Sequence, residues 1–266
     1  MPTAEQQNLI GRLQALLDGL QQIEAAWLAG SLGAGNGDAF SDVDVLVLVA
    51  DGKLEEGLRA IVTGIGAAFS PVLVNQLFGG RVINVVGNSW ERIDFVLVQK
   101  GELSRYDSNR LTLLFNRSGA TPPARDAQPY SPTVASVRPL AQEFMRVLGL
   151  LSVVVGRGEY VIALGGIEHL RRLTVDLMLE DNAVPPAERG GALRRNPLLT
   201  REQRSALTAL PPISADRDSI LEGHRALASI FLPRAKSLAE RIGMEWPHDL
   251  EAATRAHLLR GVGIVI

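Results

Sequence analysis

Three aspartates carry the chemistry this sequence offers. Asp42 and Asp44 stand one residue apart at the start of the apolar segment Val45–Val49, and Asp94 is embedded in the apolar run "ERIDFVLV". Side chains alternate across a strand, so positions 42 and 44 point the same way, a few ångströms apart. Two like charges that close repel, and burial raises at least one pKa. A bound divalent cation relieves both costs. Hard oxygen donors favour Mg²⁺, which keeps waters and is commonly completed by substrate phosphates. If the strand carrying Asp94 neighbours the one carrying Asp44, three carboxylates meet on one sheet face. Taken singly, Asp42 also suits a turn, as "SD" pairs do, and Asp94 also suits an ion pair with Arg92 or Arg110. The conjunction of the three acids with a preceding Gly-Ser turn favours the metal.

That turn is Gly30-Ser31, in "WLAGSLGAGNGDAFSDVDVLVLVA" (27–50). Glycine exposes backbone N–H groups without Cβ obstruction, and such amides with a serine hydroxyl can cradle phosphate oxygens. Gly33, Gly35 and Gly37 would serve a plain flexible loop equally well. Neither G-x-G-x-x-G nor G-K-[ST] occurs here, so the dinucleotide and Walker patterns are excluded.

Positioning these residues requires a sheet. Leu9, Leu13, Leu16, Leu17 and Leu20 share one helical stripe, so a helix opens the chain. A strand is expected at about 23–29 and a central strand at 45–49, its valine–leucine run fit to be covered on both faces. A helix is expected over 53–69. Short strands follow at 72–78, 81–86 and 91–98, with Gly79-Gly80 turning between the first two and a further strand at 111–115. The stretch 118–133 holds four prolines and little apolar material and reads as a linker. Helical periodicity then dominates over 134–181, 201–210 and 220–244. The chain reads as an α/β half followed by a helical half.

Composition narrows the class. With 266 residues, 46% hydrophobic and 21% charged, the chain can bury a core and is no disordered segment. A net charge of −2 disfavours a general nucleic-acid binder. The absence of cysteine excludes disulfides, thiolate metal sites and Cys nucleophiles, and fits the cytoplasm. The N-terminus lacks the basic start and apolar block of a signal peptide. The apolar run Val147–Gly156 is about half the length that spans a bilayer, so no membrane partner is expected.

Gly30-Ser31, Asp42-Val43-Asp44 and the later Asp94 together resemble the signature of the polymerase-β-like nucleotidyltransferases. Within that superfamily the chain is similar to the antibiotic nucleotidyltransferases, above all those acting on lincosamides: "GSLGAGNGDAFSDVDVLV" resembles their G-S-x-x-x-G-x-x-D-x-x-S-D-[IV]-[DE] stretch, "ERIDFVLV" their third-acid strand, and "GRGEYVIAL" (156–164) an R-G-E-Y segment of their helical domain. The resemblance implies an α+β fold: a catalytic domain with a mixed β-sheet and flanking helices over 1–125, then an all-α helical bundle over 126–266, with a cleft between and a homodimer in many relatives. It implies transfer of a nucleoside monophosphate from an NTP, ATP being the expected one, to a hydroxyl of a small molecule, with release of pyrophosphate. Asp42 and Asp44 then hold one or two Mg²⁺. Asp94 binds the second metal or accepts the hydroxyl proton. Gly30 and Ser31 hold phosphate. Arg157, Tyr160 and Arg171 or Arg172 contact the nucleotide, with Arg172 the preferred arginine of that pair. One departure matters: Leu32-Gly33-Ala34 stands where related enzymes often place a Lys or Arg, so this loop offers no cation to a triphosphate.

Two other readings compete. A polycationic aminoglycoside acceptor, or a protein side chain, would use a nucleotidyltransferase of another specificity. An aminoglycoside needs spare carboxylates, for which Glu102, Asp107, Glu180 and Asp181 are candidates. A non-catalytic nucleotide-binding regulator would tolerate asparagine at the acidic positions, yet all three acids are intact.

Overall fold

The structure, a computed structural model, describes residues 2–126, 129–189 and 194–266. The chain forms two compact units, Met1–Ala127 and Gln128–Ile266.

The first unit opens with helix α1 (Ala4–Asp18). Thr3 caps it: its hydroxyl accepts from Gln6 N at 3.1 Å while Gln6 Oε1 accepts from Thr3 N at 2.8 Å, a reciprocal capping box. Then come β1 (Ile23–Leu28), a single helical turn α2 (Gly30–Gly33), β2 (Val43–Val49), α3 (Leu54–Phe69), β3 (Leu73–Leu77), β4 (Val82–Val86), β5 (Arg92–Val98) and β6 (Thr112–Asn116). The strands form one sheet in the order β3-β4-β5-β2-β1-β6. Only β2 and β5 run parallel; every other neighbouring pair is antiparallel. This is the expected mixed sheet with flanking helices. Gly79 and Gly80, both at positive φ, make the β3–β4 turn, as their lack of a Cβ allows.

β2 is central and covered on both faces. Val43, Val45, Val47 and Val49 pack with Leu9, Leu13 and Leu17 of α1 and Ile61 and Ile65 of α3. Leu46 and Leu48 face the other way, into a smaller core with Ala25, Trp27, Val98 and Leu103. Each buried branched side chain contributes roughly 1.5–3 kcal/mol of burial free energy, so the strand's register is firmly set. Asp44 shares the face of Leu46 and Leu48, at the strand's first turn of alternation.

The second unit is all helical: α4 (Val134–Gly149), α5 (Leu151–Arg157), α6 (Tyr160–Asp181), α7 (Arg201–Thr208), α8 (Arg217–Arg241) and α9 (His248–Val262). Its core includes Phe144 and Phe231, whose rings stack with centroids 3.8 Å apart, with Leu148, Leu170, Leu177, Ala235 and Leu258 around them. Helix α9 was not anticipated from the sequence. Its inner face carries Glu251 and Thr254 beside Leu258 and Val262, and buried polar residues blur the apolar period. Helix α8 begins three residues before the expected start, where Asp216 caps it by accepting from Ser219 N at 2.9 Å. The expectation drawn from the apolar run 147–156 also changes. Leu150 keeps helical dihedrals, so α4 and α5 run on as Val134–Arg157, long and apolar enough to cross a membrane by length and composition alone. Val137, Ala141, Phe144, Met145, Leu148 and Leu151 of that stretch line the bundle core.

Candidate functional site

The parallel pair β2–β5 sets Asp44 directly opposite Asp94, in a register that begins at Val43–Ile93. Asp42 lies just before β2, two residues from Asp44 and therefore on its side. Each of the three half-buried acids offers a carboxylate oxygen, and the three oxygens lie within 4.8 Å of one another.

Electrostatics mark this as a site short of positive charge. The Asp44 carboxyl is pushed up to about 6, first by burial, then by the charges of Asp42 and Asp94, with Arg92 pulling the other way. Among the described residues no hydrogen-bond donor stabilises its ionised form. Three hard oxygen donors around an under-compensated acid suit a hard divalent cation, so the residues fit the Mg²⁺ inferred from their spacing.

Gly30 is shaped to Asp44. Ala29 N donates to Asp44 O at 2.8 Å, which extends the β1–β2 ladder to its end and brings Gly30 alongside the acid. Gly30 has φ +57°, and a Cβ there would fall 1.8 Å from Asp44 Oδ2. Only glycine leaves the carboxylate its room. Directly after β1 the chain makes one helical turn rather than the expected open loop: Gly33 N donates to Ala29 O at 2.7 Å and Ala34 N to Gly30 O at 3.1 Å. A Cβ on Gly33 would meet Leu28 O at 2.2 Å, so close backbone approach, as well as flexibility, explains that glycine. Ser31 Oγ donates to Ser41 Oγ at 2.9 Å, and Ser41 Oγ donates to Asp38 Oδ1 at 3.1 Å. The Ser31 hydroxyl thus closes the loop that leads into Asp42.

Two residues that sequence reasoning missed, Asn84 and Gln6, and one it weighed in another role, Arg92, surround the acids. Asn84, opposite Asp94 across β4–β5, donates from Nδ2 to Asp94 Oδ1 at 2.7 Å. The only sign of it in the sequence is a polar break in "RVINVVG". Gln6 Nε2 donates to Asp38 O at 3.0 Å and Ser41 O at 2.9 Å, pinning the loop to the first helix. Its Thr-x-x-Gln setting signalled a helix cap and nothing more. Arg92, weighed as an ion-pair partner of Asp94, turns instead to Phe40 O at 2.5 Å. Its charge still favours ionised Asp44, so β5 supplies a cation near the site that the Leu32-Gly33-Ala34 segment does not.

The remaining residues singled out from the sequence lie in the second unit. Arg157 is exposed in the last turn of α5, where Gly158 follows in a left-handed C-cap, the position where a cation suits a helix end. Tyr160 begins α6 and packs partly against the bundle core. Arg172 is exposed and donates to His169 Nδ1 at 3.3 Å, while His169 Nε2 is 3.1 Å from Glu143 Oε1. Arg171 pairs with Glu168 at 3.2 Å.

The four acids weighed for a polycationic acceptor are all engaged. Glu102 pairs with Arg81 and Arg105. Asp107 Oδ1 accepts from Asn109 N and Arg125 N. Glu180 is bound by Tyr130, Ser136 and Arg189, and Asp181 by Arg241.

No family model matches the chain, and no curated protein does. Among solved structures it is similar to an aminoglycoside 6-adenyltransferase from Bacillus subtilis, at 15% identity and TM-score 0.46, covering 96% of this chain and 97% of that one. It is also similar to the STING-associated CdnE c-di-GMP synthase from Capnocytophaga granulosa, at 13% identity and TM-score 0.31, covering 87% and 81%. A third is the Thermotoga maritima CCA-adding enzyme complexed with tRNA, at 11% and 0.33, covering 99% and 93%.

Proposed function

We propose that this chain is a magnesium-dependent nucleotidyltransferase. It moves a nucleoside monophosphate from an NTP, with ATP the expected donor, to a hydroxyl of a small molecule and releases pyrophosphate. The observation that supports this most is the convergence of Asp42, Asp44 and Asp94 within 4.8 Å beside a glycine that leaves Asp44 its room.

The acceptor oxygen forms its bond to the α-phosphorus as the bond to the pyrophosphate oxygen breaks. Asp42 and Asp44 hold the cation, and Asp94, aimed by Asn84, either shares it or takes the hydroxyl proton. Magnesium, when bound, neutralises phosphate charge and lowers the pKa of the attacking hydroxyl. Gly30 and Ser31 receive phosphate oxygens, Ser31 by exchanging its bond to Ser41, and Arg92 adds positive charge next to Asp44. In the same proposal Arg157 and Arg172 serve the phosphates and Tyr160 the base or the sugar. An acceptor with little positive charge, of lincosamide type, suits a chain whose four candidate acids are engaged elsewhere. A cytoplasmic homodimer belongs to the same proposal, and mass in solution reads the dimer.

The test is product mass after incubation with each NTP, Mg²⁺ and a panel of hydroxyl acceptors that includes lincomycin and kanamycin. The expected product is lincomycin heavier by one nucleoside monophosphate, with equimolar pyrophosphate, and none from Asp42→Asn. Turnover that survives Asp42→Asn, or no Mg²⁺-dependent product with any acceptor, overturns the proposal.

A further inference from the structure

We infer that Phe40 and Trp90 form an aromatic lip beside the acid triad and stack on the nucleobase of the co-substrate, an inference that rests on the nucleotidyl-transfer reading. Phe40 lies in the turn just before Asp42, and Trp90 lies in the turn just before Arg92 opens β5; the parallel register that starts at Val43–Ile93 sets both turns at the same end of the sheet as the acids. The two segments are tied together by Arg92, which donates to Phe40 O.

Both rings stand in water. Phe40 is 85% exposed and Trp90 77%, whereas Trp27 and Trp246 are buried. Trp90 also has φ +63°, a left-handed conformation that bulky L side chains rarely adopt and that a fold retains where its surroundings over-determine it. Here the turn does so: Trp90 N donates to Gly87 O, Gly87 N to Glu91 O and Ser89 N to Glu91 Oε2. Glycine would fit this position with less strain. The loop before Phe40 is likewise fixed, by Gln6, Ser31 and Ser41.

The occupant follows from what adjoins the lip. Phe40 sits next to Ser41, which bonds Ser31 of the phosphate segment, and Trp90 leads into the strand of Asp94. A ligand that reaches both needs an anionic, metal-binding part and a flat uncharged ring, which a nucleoside triphosphate has. Aromatic faces stack on any base and read no hydrogen-bond pattern, so the lip accepts adenine and guanine alike.

The probes are the α,β-methylene analogues of ATP and GTP with Mg²⁺. Because Trp27 and Trp246 are buried, red-shifted emission reports Trp90. Both analogues are expected to quench it, with similar affinities by calorimetry. Trp90→Gly is expected to abolish the quench and weaken binding about tenfold, while raising Tm by a few degrees as strain is released. A merely structural tryptophan would lower Tm. Phe40→Ala is expected to weaken binding similarly, and Phe78→Gly, which alters an exposed aromatic at φ +52° at the other end of β4, to leave it unchanged. Wild-type affinity in Trp90→Gly and Phe40→Ala overturns the lip alone, provided Asp42→Asn abolishes binding. No nucleotide binding by the wild type overturns the lip and the proposed function together.

Discussion

Asp44 and Glu251 are both carboxylates out of full contact with water, and the fold treats them in opposite ways. Glu251, only 5% exposed, is pushed up by burial. Yet Lys236 at 2.8 Å, Trp246 at 2.7 Å and Arg255 at 2.8 Å outweigh burial and hold it down at about 2. Asp44 is less buried, has two acids for neighbours and stands at about 6. A carboxylate that serves the fold receives its donors from the fold. At the start of β2 the chain instead gathers three acids, against which the described residues set only the Asn84 amide on Asp94 and the Arg92 charge near Asp44.

The largest expected difference is in turnover. Loss of Asp42 or Asp44 as Asn should cost more than the roughly 10- to 100-fold typical of an outer-shell partner. Glu251→Gln should leave turnover per folded molecule unchanged, with Mg²⁺-dependent pyrophosphate release as the readout.

Stability separates the two carboxylates next. Glu251→Gln should cost about 2 kcal/mol in denaturant unfolding, below the roughly 3–5 kcal/mol of a fully buried pair because the half-exposed Lys236 and Arg255 can regain water. Asp44→Asn should instead stabilise the metal-free chain, by at most about 1 kcal/mol once solvent screening is allowed for. Equal signs for the two substitutions would break the comparison.

The smallest effect is the pH dependence, again opposite in sign. Glu251 has a folded pKa below its unfolded value, so its contribution is present above pH 4.5 and is lost as pH falls toward 2. Asp44 has a folded pKa above its unfolded 3.8, so the metal-free fold binds its proton more tightly. That contribution is full below 3.8 and is lost as pH rises through about 6. Thermal unfolding of metal-free wild type and Asp44→Asn across this range should converge at low pH, where the aspartate is protonated, and part above 6. Saturating Mg²⁺ should close the gap from the wild-type side.

Much of this was legible in the sequence where the signal is local and periodic. Alternation and apolar runs located all six strands to within a residue or two, because the register of a buried strand is set by its own side chains. The acids at 42, 44 and 94 stood out because carboxylates at the ends of apolar strands are costly without a partner. What escaped was non-local. Asn84 meets Asp94 through the register of the β4–β5 hairpin, and Gln6 meets Ser41 because α1 packs beside the loop before β2, pairings that no local pattern announces. Arg92 was weighed for Asp94 and went to a carbonyl, a choice made by side-chain geometry that spacing does not encode. Helix α9 was missed because Glu251 occupies its inner face, where an apolar residue would have carried the period.

Binding of Mn²⁺, a paramagnetic stand-in for Mg²⁺, to the metal-free chain at neutral pH tests the central claim most directly. The wild type and Glu251→Gln should give the same saturable isotherm, and Asp42→Asn, Asp44→Asn and Asp94→Asn should each weaken it by more than about tenfold. Isotherms that do not change across the three aspartate variants would contradict the account.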